Sequence, residues 1–232
     1  MRISIVFGFF LPVPPLRGGA TEKVWDRLAR QFAQRGHTVT AVCRRWPGQA
    51  DRENRDGVEY RRIPGAPPSK RLAWNLVRDL RWGLRAARAL PAGDVVICNT
   101  VTLPVWLPRM KPAAGRVVAV LGRVPKGQVR FYGRAARVYA TSRFVEEKAL
   151  AEAPALRGRI AVVGNAIDWD LHVAAGASRP AGGEPVELGF VGRLHPEKGL
   201  ELLLRAAGDL AGRSALPPWR LRLAGPAAAA DG

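Results

Sequence analysis

The chain has 232 residues, 47% of them apolar, enough to bury a core for one large or two small domains, which excludes global disorder. Its 37 basic residues outnumber 19 acidic ones for a formal net charge of +18, and all but six of the basic residues are arginine; such a charge attracts phosphates, anionic lipid surfaces and nucleic acid. Two lone cysteines, Cys43 and Cys98, and three scattered histidines, His37, His172 and His195, exclude a disulfide framework and a metal site and suit a reducing cytosol. No run approaches the ~18 apolar residues of a membrane-spanning helix.

In chain order, Ile3 to Phe7 reads as a buried first strand rather than a signal peptide, because Pro12, Pro14 and Pro15 follow it without a small-residue cleavage site. A Gly/Pro loop leads to Thr21, a helix cap with Glu22 in the first turn. Val24, Leu28 and Phe32, with Trp25 and Ala29 beside them, give that helix one apolar face, and Gly36 ends it. Thr38 to Cys43 is a second strand, completing a βαβ start that implies a parallel sheet with helices on both faces. Arg44 to Asp56 reads as a polar loop and Val58 to Ile63 as a strand at an edge. Lys70 to Leu90 has helical period: Leu72, Leu76, Leu80 and Leu84 recur as a core stripe, with arginines between them.

Asp94 to Asn99 is the next strand, with Asn99 and Thr100 at its carboxyl end, where open α/β sheets place ligands; an Asn that caps the next segment is the equal alternative. Leu103 to Met110 is a short Pro-bounded helix and Val117 to Leu121 a strand. Gly122 to Arg137 is a basic loop, Val138 to Ala140 a strand, with Thr141 or Ser142 capping a helix, and Arg159 to Val163 a last strand. The fold class is α/β, a Rossmann-like doubly wound parallel sheet over residues 1–175. A Gly/Ala/Pro linker, 176–186, leads to the first βαβ of a second Rossmann-like domain over 187–232. That second domain is expected to be incomplete, at roughly 45 residues against the ~100–150 of a typical domain.

Phe190 to Leu204 carries the clearest chemistry. It reads as a buried strand, a glycine turn at Gly192, an exposed loop with Arg193 and Lys198, and an amphipathic helix from Gly199. An Arg that forks two phosphate oxygens and a Lys that acts as a point charge, set before a helix N-terminus, make a phosphate site. The alternative is a solvated basic loop. Gly18 and Gly19, at a strand-to-helix turn, let backbone N–H groups approach a ligand; they are not the G-x-G-x-x-G fingerprint of nicotinamide enzymes.

Four segments in register, Gly18-Gly19-Ala20-Thr21-Glu22, Arg35 to Thr40, Val163 to Asp168 and Phe190 to Gly199, resemble glycosyltransferases of the GT-B fold, family 4. The resemblance covers the whole chain but only about the first two thirds of such an enzyme. It implies two Rossmann-like domains facing across a cleft, the first binding an acceptor and the second a nucleotide-diphosphate sugar. It also implies sugar transfer with retention of configuration, and no metal or other cofactor. It puts the donor diphosphate against Arg193, Lys198, Gly18 and Gly19. On the acceptor side, Arg17, Glu22, Asn99, Arg123 and Lys126 are the candidates. The sequence departs from the family in two places. A histidine common after the fifth strand is replaced by Leu121 or Gly122, and Arg123, Lys126 and Gln128 in the following loop cannot replace its acid–base chemistry. The family's paired glutamates have no counterpart here, so no catalytic residue is assigned. His195 and Asn165 read as loop and turn residues.

Trp74 and Trp82 among the arginines of 70–90 suggest peripheral association with an anionic membrane, where relatives act on lipid-linked acceptors in cell-surface polysaccharide or glycolipid synthesis. Three rival readings remain: an acceptor domain that does no chemistry, a sugar-nucleotide epimerase, and a nucleic-acid-binding protein. The last is disfavoured by dispersed charge and the absence of a recognition motif, so nucleic acid is not expected as a partner.

Overall fold

The computed structural model describes residues 1–167, 185–213 and 215–226. The chain falls into two compact units, Met1–Asp168 and Trp169–Gly232. His172, Asp168 and all of the expected linker except its last two residues lie outside the described residues; Val186, assigned to that linker, already belongs to a strand.

The first unit is an eight-stranded sheet. Its strands are β1 (Arg2–Val6), β2 (Thr38–Arg44), β3 (Arg52–Arg55), β4 (Val58–Ile63), β5 (Val95–Cys98), β6 (Arg116–Leu121), β7 (Arg137–Ala140) and β8 (Ile160–Val162). Their order is β3-β4-β2-β1-β5-β6-β7-β8, parallel throughout except that β3 runs against β4. In register, Ile5 lies between Ala41 and Ile97. The chain winds outward from β1 to β4 and returns to β5, so the winding reverses between β1 and β5. Such a switch point leaves a crevice outside the carboxyl ends of the strands.

Side chains alternate across the sheet, and both faces are apolar. Ile3, Ile5 and Phe7 join Ile97 and Val118 under helix α1 (Ala20–Gln34). Val6, Val96, Cys98 and Val117 pack beneath α2 (Leu72–Ala89) and α3 (Leu103–Met110). Ala119, Leu121, Val138 and Ala140 pack with α4 (Arg143–Glu152), whose cap is Ser142: its hydroxyl accepts from Val145 N–H at 3.3 Å. Both cysteines are free and buried, one on each face, and burial pushes the Cys43 thiol up to about 12.

Polar anchors set how the helices sit. The Asp26 carboxylate of α1 is buried. It accepts the Tyr60 hydroxyl of β4 at 2.7 Å and pairs with the Arg30 guanidinium. The buried Arg62 guanidinium donates to Ala50 O and pairs with Glu53, both at 2.7 Å. Helix α1 begins without a side-chain cap: Gly19, at φ 95°, takes the N-cap position, two residues before the expected cap Thr21.

Two further expectations are corrected. The 44–56 loop contains β3, so β3 rather than β4 forms the sheet edge. Asp56 and Gly57, at φ 53° and 78°, make the tight turn that pairs Arg55 with Val58. The leucine stripe of α2 is not core. Leu72, Trp74, Leu76, Val77, Leu80 and Leu84 are between 40% and 62% exposed, while Asp79, Trp82, Gly83 and Ala86 are buried. Three anchors choose this less apolar face. Asp79 accepts from the hydroxyl and the N–H of Thr102, each at 2.7 Å. Trp82 Nε1 donates to Phe7 O at 2.9 Å. Gly83 lets Trp106 of α3 approach so closely that a Cβ there would lie 3.1 Å from the indole. Burying the large Trp82 ring adds about 3 kcal/mol or less, and its satisfied N–H avoids a desolvation cost of about 1–3 kcal/mol.

In the second unit β9 (Val186–Val191) pairs in parallel with β10 (Trp219–Ala224), Phe190 opposite Leu223, with α5 (Leu200–Ala211) between them in the chain. The helix starts one residue later than expected. A 3-10 turn, Pro196–Lys198, comes first, and Gly199 at φ 69° joins the two.

Candidate functional site

The crevice of the first unit is a pocket of about 130 Å³ lined by Ala20, Thr21 and Trp25 of α1, Asn99 after β5, Val120 and Gly122 of β6 and its exit, Thr141 after β7, and Asn165 after β8. Strands β5, β6, β7 and β8 each exit into this one space, as their parallel pairing requires. Asn99 N–H continues the ladder to Val6 O at 2.9 Å, which fixes the residue. Its Oδ1 and Nδ2 are buried without a hydrogen-bond partner among the described residues, as is Thr100 Oγ1. Buried polar atoms normally find partners, so these mark where a ligand hydroxyl or water would be held.

Leu121 turns away into the cluster under α4. Gly122 alone therefore stands where a histidine would reach the pocket, and it leaves that wall without a side chain. Asn165, read from the sequence as a turn former, lines the pocket as well. Thr21, expected as a helix cap, and Thr141, expected with Ser142 as alternative caps, both line the pocket instead, Ser142 taking the cap of α4.

The Gly18–Gly19 turn borders α1, with both residues at positive φ. A Cβ on Gly19 would lie 2.2 Å from Glu22 Oε2 and 2.7 Å from Leu11 Cδ1, and its φ of 95° makes any other residue strained there. The Glu22 carboxyl thus sits over the turn. It is buried, and burial pushes its pKa above the ordinary value, partly offset by its own backbone N–H. An anion approaching this turn meets a carboxyl already in place. The neutral form that burial favours is the one compatible with a phosphate.

The remaining acceptor-side candidates stand apart from the pocket lining. Arg17 lies over the Trp46 ring at 5.9 Å, with Arg44 also against that ring at 4.6 Å. Arg123 and Lys126 are exposed in the loop after β6, where Lys126 N–H donates to Gln128 Oε1 and Gly127 N–H to Glu152 Oε2.

In the second unit, Arg193 and Lys198 are both exposed and flank the turn between β9 and α5. Arg193 Nη2 lies 3.6 Å from Glu197 Oε2. His195 Nδ1 accepts from Glu197 N–H at 3.2 Å, a capping role that occupies the lone pair a base would use. Gly192 N–H donates to Ala224 O at 2.9 Å. Gly225 passes so close that a Cβ on it would lie 1.7 Å from Gly192 O. Gly225 therefore shapes the phosphate-candidate turn.

A doubly wound, mostly parallel sheet with a crevice at its switch point defines a Rossmann-like α/β protein. The sequence matches the model of Glycosyltransferase Family 4 over residues 18–171, and the chain belongs to that family. Spore coat protein SA of Bacillus subtilis (strain 168) is 25% identical across 90% of this chain and 57% of its own length, so the chain spans little more than half of that relative. The catalytic domain of starch synthase IV from Arabidopsis thaliana, bound to ADP and acarbose, superposes with a TM-score of 0.67 at 14% identity. It is matched over 98% of this chain and 69% of its own. An E. coli structure described as trehalose-6-phosphate bound with UDP-2-fluoro glucose gives 0.66 at 12% identity, over 100% and 66%.

Proposed function

We propose that the protein transfers a sugar from a nucleotide-diphosphate sugar to a glycan or lipid-linked acceptor, with retention of configuration, in cell-surface polysaccharide or glycolipid synthesis. Family membership over 18–171 is the observation that carries this reading. The site chemistry supports it. In glycosyl transfer, negative charge grows on the β-phosphate oxygen of the leaving nucleoside diphosphate. Cationic groups fixed at that oxygen favour the transition state over the ground state. Arg193 and Lys198, set before α5, are the groups proposed for this, and the bound nucleotides of the structural neighbours are of the same chemical class. No metal or other cofactor is proposed to assist them. Gly18 and Gly19 are proposed to let phosphate approach the turn backbone, with the buried Glu22 carboxyl, its pKa raised by burial, beside them. The pocket around Asn99 is proposed to take acceptor hydroxyls, with Arg17, Arg123 and Lys126 toward its outer parts. Work at the inner face of the cell membrane belongs to the same reading.

Titration with UDP and ADP tests the donor assignment. An Arg193→Ala/Lys198→Ala double variant is expected to lose at least tenfold in affinity, from the removal of two charge-assisted contacts of about 1.5–3 kcal/mol each before solvent screening. Unchanged binding sinks the assignment. Asn99→Ala is expected to spare nucleotide binding and to weaken acceptor binding, read by calorimetry with an oligosaccharide.

A further inference from the structure

We propose that the outward side of α2 is a docking surface for an anionic phospholipid membrane, with headgroup phosphates held by Arg78, Arg81 and Arg85. The apolar half of this surface is Leu72, Leu76, Val77, Leu80 and Leu84, which follow helical spacing along one stripe and are all exposed. At its margin the three arginines line a cleft of about 240 Å³, with Phe9, Trp82 and the 64–66 backbone as the rest of the wall. Arg78 donates to Pro67 O at 2.6 Å and Arg85 to Pro64 O at 3.0 Å, which fixes both guanidinium groups and leaves further N–H groups to offer. Arg81 has no acceptor among the described residues.

Charge decides the occupant. Asp79 is the only carboxylate in α2, and it is buried and spent on Thr102. The outward side of α2 therefore presents arginines and leucines and no carboxylate of its own. Nucleic acid would match the arginines but not the leucines. A second copy would match the leucines but bring arginine against arginine. A lipid surface matches both, with phosphates level with the guanidinium groups and acyl chains beneath the leucines. The 18 residues of α2 make a rod about 27 Å long that lies in such an interface, and no described helix is long and apolar enough to cross a membrane. This rests on the acceptor side of the reading above, since a docked protein meets a lipid-linked acceptor, but its geometry belongs to α2 alone.

Co-sedimentation with phosphatidylcholine vesicles, and with vesicles of equal parts phosphatidylcholine and phosphatidylglycerol, tests it without any donor present. The whole chain is expected to pellet with the anionic vesicles only. Arg81→Ala/Arg85→Ala is expected to bind about 25-fold more weakly, roughly fivefold per arginine. Leu76→Ser/Leu80→Ser is expected to lose at least about tenfold through apolar burial. Arg35→Ala/Arg116→Ala, which removes the same charge from the amino ends of β2 and β6 rather than from α2, is expected to stay within about twofold, because membrane charge is screened within a Debye length. No binding to anionic vesicles overturns the proposal, and so does an equal loss in the Arg35/Arg116 variant. A leucine variant that abolishes self-association while leaving vesicle binding intact also overturns it, in favour of a second copy. A UDP titration on the same samples separates the two readings: vesicle binding without UDP binding upholds the surface and removes the donor assignment, and the reverse result does the opposite.

Discussion

Asp26 holds the first helix to the sheet through a single buried carboxylate, and its loss should be felt well beyond one contact. With Tyr60 OH and Arg30 both bound to it, Asp26→Ala strands a buried hydroxyl and a half-buried guanidinium. The expected cost is about 3 kcal/mol, read as a lower urea midpoint with an unchanged slope. A loss below about 1 kcal/mol would mean that water replaces the carboxylate. Glu22 makes the opposite case. Burial raises its pKa above 4.5, so the folded protein binds this proton more tightly than the unfolded chain does. The stability contributed by the neutral carboxyl is complete below the unfolded value and is lost as pH rises through the raised folded value. Glu22→Gln keeps a neutral group of the same shape. It should therefore be more stable than the natural chain at neutral pH and indistinguishable from it below pH 4.5. Urea unfolding at the two pH values checks this, and a difference that does not change with pH removes Glu22 as its source.

At the scale of elements, α2 shows where hydropathy misleads. Leu80→Ala should change stability by no more than about 0.5 kcal/mol, whereas Trp82→Ala should cost about 3–5 kcal/mol, measured by thermal or urea unfolding. Equal costs would restore the leucine stripe to the core. The helix itself was legible from its period; its rotation was not. Two stripes of that period compete in one helix, and the buried one wins through Asp79, Trp82 and Gly83, whose partners Thr102, Phe7 and Trp106 are distant in sequence. The parallel strands were legible because each is a continuous apolar run between turn residues. Strand β3 was not, since Arg-Glu-Asn-Arg has no apolar residue; only the Asp-Gly turn after it announced a hairpin. The pocket was half legible. Asn99 follows from the rule about strand ends, while Thr21, Thr141 and Asn165 enter only because the topology sets four strand exits side by side.

For the whole molecule, the net charge of +18 poses a question of its own: whether nucleotide affinity comes from a built turn or from a general field. Glu197 offers a way to separate the two. Its carboxylate lies 3.6 Å from Arg193 Nη2 and 3.7 Å from His195 Nδ1, on the exposed turn where a diphosphate is proposed to bind. An incoming phosphate must displace this carboxylate or bear its repulsion, about 1 kcal/mol at such a distance in water. Glu197→Gln should therefore tighten UDP binding about fivefold. Its effect on stability should be small, because exposed ion pairs contribute at most about 1 kcal/mol. Glu147→Gln changes the net charge by the same single unit from an exposed position on α4, in the other unit. If the turn is the site, the Glu147 variant should bind UDP as the natural chain does, and the gain at Glu197 should persist in moderate salt while general attraction fades with the Debye length. If both variants tighten UDP equally, or both gains vanish together with salt, the charge of the whole protein accounts for binding and Arg193 and Lys198 lose their assigned role.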